Sequence, residues 1–316
     1  MECGGTSQNQ PTGLFVGLCT VDVAYVVTSF PSPNQKIAAQ RQELAAGGPA
    51  TNAAVTFSFL GGTAHLVTAL GMHPLTSIVR QDLDHRKVEI TDVAPGHPEA
   101  PPLSSIFVHA ETGERTVVSA NAAAYSGLQY RFDTSWLSGI SILLVDGHHM
   151  PLCIAAATAA REAGVPVVLD GGSWKNGMPT LLAQVDMAVC SGDFTPPERT
   201  PGRDTVRFLR EAGIAVVAIT RGSDSILWQS GDGGGEIPVP RIKPRDTLGA
   251  GDIFHGAFCW ALASSCDLET SLLAAAEVAA ESCLHFGTRG WMDAFDAGRL
   301  AGGSTNPTAF SEGRLT

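Results

Sequence analysis

Between residues 140 and 219 the chain repeats one pattern: a short apolar run, then a segment of helical composition. The runs 140–145, 165–169, 186–190 and 214–219 are apolar almost throughout, and Ala-rich or mixed segments around 152–163, 178–184 and 204–212 separate them. A strand apolar on both sides must be covered on both sides. Strands joined in succession by helices run parallel. The pattern predicts an α/β fold: a mostly parallel central sheet with helices on both faces. Such sheets place their ligands at the carboxyl ends of the strands, where Asp146 and Asp170 stand.

The first half of the chain is more varied. Residues 14–18 read as a buried first strand, with Asp22 just beyond it as either a turn residue or a ligand. Segments 23–30 and 36–44 flank Pro31-Ser32-Pro33-Asn34, a hairpin signal, and 103–109 and 115–119 flank Glu111-Thr112-Gly113-Glu114 in the same way. A helix beginning at Asn52 and running through Leu60, a strand over 64–70 and a helix over 75–85 lie between, followed by a Pro-rich connector at 95–102. A further hairpin, around the glycines at 231–235, joins 226–228 to 237–239. Residues 1–12 and 301–316 are polar and Gly-rich and are expected to be mobile tails.

The net charge of −11 excludes a broad nucleic-acid or acidic-membrane surface. No stretch is apolar enough to span a bilayer, and the start lacks a basic-then-apolar leader. Seven cysteines without a C-x-x-C pair fit reduced thiols, so a cytoplasmic protein is expected.

The chemistry concentrates in Arg245-Asp246-Thr247-Leu248-Gly249-Ala250-Gly251-Asp252-Ile253-Phe254-His255-Gly256-Ala257-Phe258. Small residues admit a ligand close to the backbone, and the apolar run after them suits a buried helix. The helix start would present free amides and the positive end of its dipole to an anion. Asp252, in the first turn, either complements that dipole or takes a proton from a hydroxyl while the turn stabilises a phosphoryl group.

This segment resembles the C-terminal signature of the PfkB, or ribokinase-like, family of small-molecule kinases. Gly47-Gly48-Pro49-Ala50-Thr51-Asn52-Ala53-Ala54 resembles the family's other motif. The resemblance covers nearly the whole chain, and His255 places it nearest the fructokinase, ketohexokinase and sulfofructose kinase members. It implies a ribokinase-like α/β domain over 13–300 with a discontinuous β-lid, about 22–46 and 103–120. It also implies transfer of a phosphoryl group from ATP to a sugar, with Mg²⁺ and a monovalent cation such as K⁺. Asp252 would be the base, with Gly249, Ala250 and Gly251 forming the anion hole. Asp22, Gly47, Gly48 and Asn52 would hold the sugar. Arg115 and Asn121 would touch it from the lid, or be solvated there.

Thr220, Arg221 and Gly222, with Thr247, Gly249, Gly251 and Gly287, would line the nucleotide, and the loop 287–290 would lie against adenine. Asp246 and Thr247 would flank the monovalent cation. Asp170 and Asp193 would hold magnesium through water, though Asp170 could equally cap a loop. A homodimer through the lid is a further implication. One segment departs from the family: many relatives carry N-x-x-E where this chain has Ser191-Gly192-Asp193-Phe194.

Other designs lack their residues. No lysine follows glycine, which excludes a P-loop, and no G-x-G-x-x-G follows the first strand. His148-His149 lack metal-ligand spacing and read as loop or packing residues. A nucleoside kinase of the same family, or a non-catalytic sensor on the same fold, remains open.

Overall fold

Leu14 and Val16 of the first strand, β1 (Thr12–Val16), pack into one apolar layer while Phe15 between them packs into another. Successive side chains of a strand point to opposite faces, so β1 must lie in a sheet with a core on each side. The computed structural model of the chain describes residues 10–122, 125 and 127–295. The tail expected at 301–316, most of that at 1–12, and the last residues of the expected domain fall outside them.

The elements follow in order. After β1 come β2 (Thr20–Val27), β3 (Arg41–Gly47), α1 (Pro49–Phe59), β4 (Thr63–Thr68), α2 (Thr76–His85) and β5 (Val88–Asp92). Next are β6 (Leu103–His109), β7 (Arg115–Ser119), β8 (Ile142–Val145), α3 (Met150–Ala163), β9 (Val167–Gly171) and α4 (Met178–Leu182). The remainder is β10 (Met187–Ser191), α5 (Arg203–Glu211), β11 (Val216–Arg221), β12 (Asp224–Ser230), β13 (Gly233–Ile237), α6 (Ala250–Ala263) and α7 (Leu268–Ser282).

The large sheet runs β13-β12-β11-β10-β9-β8-β1-β4-β5, parallel except at the β11-β12-β13 edge. Residues of α1, α2, α6 and α7 fill one layer, and those of α3, α4 and α5 fill the other. Gly256 lets α6 cross α1 closely, because a Cβ there would lie 2.4 Å from the Ala53 carbonyl oxygen. A second, smaller sheet, β3-β2-β6-β7, joins two distant hairpin segments through the parallel pair β2–β6. Its own buried core is small: Ala24, Ile106 and Val108, with Leu248 and Phe286 of the main domain against them.

Several expectations are corrected. Asp22 does not follow the first strand but lies within β2 of the small sheet. Asn52 does not begin α1; the helix starts at Pro49 with Gly48 as its cap, and the Asn52 amide already bonds the Gly48 carbonyl at 2.9 Å. Gly233, Gly234 and Gly235 belong to β13 rather than to its turn. Strand β5 was not anticipated, since Glu89, Thr91 and Asp92 leave it little apolar content. Among the described residues no helix is long and apolar enough to cross a membrane.

Candidate active site

Helix α6 opens at the carboxyl ends of the parallel strands. Its cap, Gly249, has φ 68°, and a Cβ there would meet the Thr288 methyl at 2.7 Å, so both conformation and space require glycine. The Ala250 amide is occupied by the Thr247 carbonyl at 3.3 Å. The amides of Gly251 and Asp252 have no acceptor among the described residues. Two donors without acceptors thus stand at the positive end of a helix of 14 residues, an arrangement that suits an anion.

Asp252 stands beside them with its Oδ2 accepting from Asn52 Nδ2 at 2.8 Å. The Oδ1 of Asn52 accepts from Arg289 at 2.9 Å. Arginine has only donors, so the Asn52 oxygen must face it and the amide nitrogen must face Asp252. Arg289 is buried and also donates to the Ala46 carbonyl at 2.7 Å, Thr288 Oγ1 at 2.9 Å and Asp82 Oδ2 at 3.2 Å. One guanidinium therefore fixes the start of α1, the end of β3 and, through Asn52, the Asp252 carboxyl at once. The Asp252 carboxyl is pushed up to about 7, by withdrawal from water first and by the Asp170 carboxylate second, with the Asn52 bond opposing both.

Asp170, buried at the end of β9, lies 3.3 Å from His255 Nδ1. That ring also places Nδ1 2.7 Å from the Gly251 carbonyl and Nε2 2.9 Å from the Val189 carbonyl. Burial raises the Asp170 carboxyl and His255 opposes the rise.

Asp22 accepts from Thr20 Oγ1 at 2.6 Å, and burial holds its carboxyl above the ordinary value, with Thr20 and Ser104 opposing. A Cβ at Gly47 would lie 1.9 Å from Asp22 Oδ2, so Gly47 is the space that this carboxylate occupies. Gly48 has φ 98° and ψ 150°, a region open in practice to glycine alone, and a Cβ would meet the Leu18 carbonyl oxygen at 2.4 Å. Gly48→Ala is expected to destabilise the protein by about 1–3 kcal/mol and to displace Asn52 one turn along. Urea unfolding measures the first effect; an unchanged midpoint would show that the backbone adapts.

Other expected residues fall in several places. Arg115 on β7 donates to Thr247 Oγ1, so it latches the small sheet to the motif loop, and Thr247 faces a guanidinium instead of an open cation position. Both Asp246 oxygens accept backbone amides, from Leu248 at 2.8 Å and Gly287 at 2.9 Å. Burial still raises the Asp246 carboxyl against those bonds. Gly287 (φ 77°) packs against Glu43, whose Oε1 a Cβ would approach to 2.4 Å. Thr288 and Arg289 of the expected adenine loop are buried and turned toward the core.

Thr220 ends β11 with its hydroxyl 3.4 Å from the Cys190 carbonyl, and Gly222 beyond it is exposed with φ 63°. Arg221 turns away, donating to the Ser225 carbonyl at 2.8 Å and pairing with Glu236 at 3.3 Å. Asn121 (φ 47°) lines a separate cavity with His148 and His149. Asp193 is exposed while Asp170 is buried, and no cluster of three metal-ligating side chains occurs among the described residues. Phe194, in the place of the family glutamate, is buried against Trp174 with ring centroids 5.5 Å apart. Packing therefore occupies this position.

Sequence reasoning missed Arg289, Asp82 and the structural part of Asp146. The Asp146 carboxylate accepts the amides of Leu18 at 2.8 Å, His148 at 2.9 Å and Ala50 at 3.2 Å, tying three loops around the site. Its position after β8 was the one available signal.

The family model described as pfkB family carbohydrate kinase matches residues 13–294. The aminoimidazole riboside kinase of Salmonella typhimurium is 28% identical over 258 residues, covering 75% of this chain and 80% of its own. The ribokinase of Arabidopsis thaliana is 26% identical over 288 residues, covering 85% and 75%. Its solved structure, complexed with ribose and ATP, superposes with a TM-score of 0.74 at 20% identity, over 94% of this chain and all of that one (100%).

Proposed function

The chain belongs to the pfkB family of carbohydrate kinases, and from that membership we propose that it moves the γ-phosphoryl group of ATP to a hydroxymethyl group of a ketose or pentose. The observation that carries this reading is Asp252, its carboxyl raised to about 7, beside two unoccupied amides at the start of α6. The acceptor hydroxyl loses its proton to Asp252 as it attacks. The amides of Gly251 and Asp252 receive the charge of the transferring group, and removing one donor of this kind costs roughly a hundredfold or more in rate. Asp22 and the Gly47-Gly48 backbone orient the sugar, and Thr220, Gly222 and Gly287 lie toward the nucleotide. Arg221, committed to Glu236, adds no charge to the phosphates.

The described residues offer no preformed carboxylate cage for magnesium. The ion would be held chiefly by the phosphates it accompanies, with Asp170 reaching it through water. Its contribution is to neutralise phosphate charge. A nucleoside acceptor is the second reading, favoured by the relative that acts on an aminoimidazole riboside. ADP release with Mg-ATP across ketoses, pentoses and nucleosides, with Asp252→Asn as the blank, separates the two. Silence across the panel with ATP binding intact would favour a sensor.

The small sheet also supports a homodimer. Val23, Leu44, Ser105 and Val118 are neighbours in register on its outer face, with Leu44 48% and Val118 65% exposed. Sedimentation equilibrium is expected to give a dimer that Val118→Lys converts to monomer. A wild-type monomer at micromolar concentration would remove the proposal.

A further inference from the structure

Donors that stabilise a forming charge do so best when they need not turn toward it as it forms. The start of α6 has to be rigid for that, yet its sequence is loose. Two of the four residues from Gly249 to Asp252 are glycines, the residue with the most backbone freedom. Gly249 is boxed in by the Thr288 methyl. Gly251 is not: a Cβ there would meet no atom within 4 Å, so packing does not restrain it from that side.

The restraint comes from the next turn of the same helix. His255 is 3% exposed, and its Nδ1 lies 2.7 Å from the Gly251 carbonyl. Asp170 Oδ2, at the end of β9, is 3.3 Å from the same nitrogen and has no hydrogen-bond partner of its own. A proton on Nδ1 therefore finds two acceptors. The other ring nitrogen, Nε2, is 2.9 Å from the Val189 carbonyl of β10. The ring ties the helix start to two neighbouring strands of the large sheet.

The Gly251 carbonyl and the Asp252 amide belong to one peptide unit, which is planar and points its C=O and N–H in opposite directions. Whatever fixes the carbonyl aims the N–H, and that N–H is one of the two donors left free at the start of α6. A hydrogen bond to the carbonyl also polarises the unit and strengthens its donor. The helix ladder brings the amide of residue 255 to the same carbonyl, so side chain and backbone of one residue hold it together.

We propose that His255 is a positioning residue: through the Gly251 carbonyl it aims the Asp252 amide at the transferring phosphoryl group, while Asp170 and Val189 hold the ring. The proposal rests on the kinase reading for the identity of the anion, and on the contacts of the ring for the aiming.

Three variants take the ring apart. His255→Asn sets an amide nitrogen near the place of Nδ1, His255→Gln sets one near that of Nε2, and His255→Phe removes both. ADP release is measured at pH 8, with Mg-ATP and an acceptor that supports Asp252-dependent turnover. His255→Phe and His255→Gln are expected to lose roughly tenfold to a hundredfold in kcat, less than the removal of a donor, with both KM values little changed. His255→Asn is expected to regain most of that loss. Asparagine carries no charge, so its rescue separates the hydrogen bond from electrostatics. Urea unfolding reports packing in the same proteins. His255→Asn leaves the Val189 contact unmade, so it should be less stable than the parent while remaining active. A kcat that follows the unfolding midpoint across the three variants, or a near-parental kcat in His255→Phe, makes the ring structural and overturns the proposal.

Calorimetry with orthophosphate at pH 6 reads the two amides without turnover. The parent is expected to bind it roughly threefold to tenfold tighter than His255→Phe, the size of one well-aimed hydrogen bond, with His255→Asn close to the parent. Equal binding by the parent and His255→Phe, or none by the parent, also overturns the aiming. If the margin is present but no acceptor gives Asp252-dependent ADP release, the kinase reading falls and the aiming stands. Turnover that His255→Phe leaves intact does the reverse.

Discussion

Asp252→Asn is expected to lower kcat by about a hundredfold to ten-thousandfold, the range of a single positioned general base, while ATP binding survives. The side chains have nearly the same shape, and an asparagine oxygen still accepts from Asn52 Nδ2. The loss therefore reports the proton and not the fold. In the unsubstituted enzyme kcat/KM should fall as pH drops through about 7, where the carboxyl protonates. Stability should move the other way. The folded state raises this carboxyl from its ordinary 3.8 to about 7, so the fold resists its ionisation. The stability linked to the neutral form is present at low pH and is lost as pH rises through about 7. Asparagine cannot ionise, so the variant should melt higher than the parent at pH 8, with the difference vanishing well below pH 4. Near-native kcat in the variant, or a flat pH–rate profile between 5.5 and 8, would assign the proton to another group. A lower melting temperature at pH 8 would show that the carboxylate is stabilised in place, contrary to the raised value.

Arg289→Ala is expected to cost about 3–5 kcal/mol of unfolding free energy, the penalty for leaving buried partners of a charged group uncompensated. The Ala46 carbonyl, Asn52 Oδ1 and Asp82 Oδ2 would all lose a donor. Lysine should rescue little, because one ammonium cannot reproduce the fork that spans three elements. Without Arg289, Asn52 can present either end of its amide to Asp252, so kcat should fall further than stability alone explains. Urea unfolding and kcat on the folded fraction check both parts. A variant within 1 kcal/mol of the parent, about the size of an ordinary hydrogen bond, would mean that water replaces the guanidinium.

These two residues also mark where the sequence was legible and where it was not. Asp252 could be found because its neighbours in the chain are its neighbours in space: the turn, the dipole and the carboxylate occupy one helix start. Strands β8 to β11 could be found because double burial writes itself as continuous apolar runs. The hairpin of β6 and β7 was bounded by its turn residues. Arg289 had no such signal, since Asn52 and Ala46 lie 237 and 243 positions away. Asn52 was placed one turn too early because its residue type favours helix starts; the sharper bend is made by Gly48 and Pro49. Arg221 was expected along the nucleotide from the resemblance alone, while Glu236, fifteen residues on, decides where it points.

The four-stranded sheet has the smallest core among the described residues. Only three buried apolar side chains form a core of its own, and Val21 and Ala46 of β2 and β3 belong to a core of the large sheet; the contacts that hold its outer strands belong to its neighbours. Arg115 bonds Thr247, Arg41 stacks 4.8 Å over Phe286, and Gly113 lies against the backbone at Arg245. Regions with little apolar burial open at low free energy, independently of global unfolding. The outer strands β6 and β7 can thus open while both cores of the large sheet stay intact. Their latch, Arg115 on Thr247, closes on the loop that leads into α6.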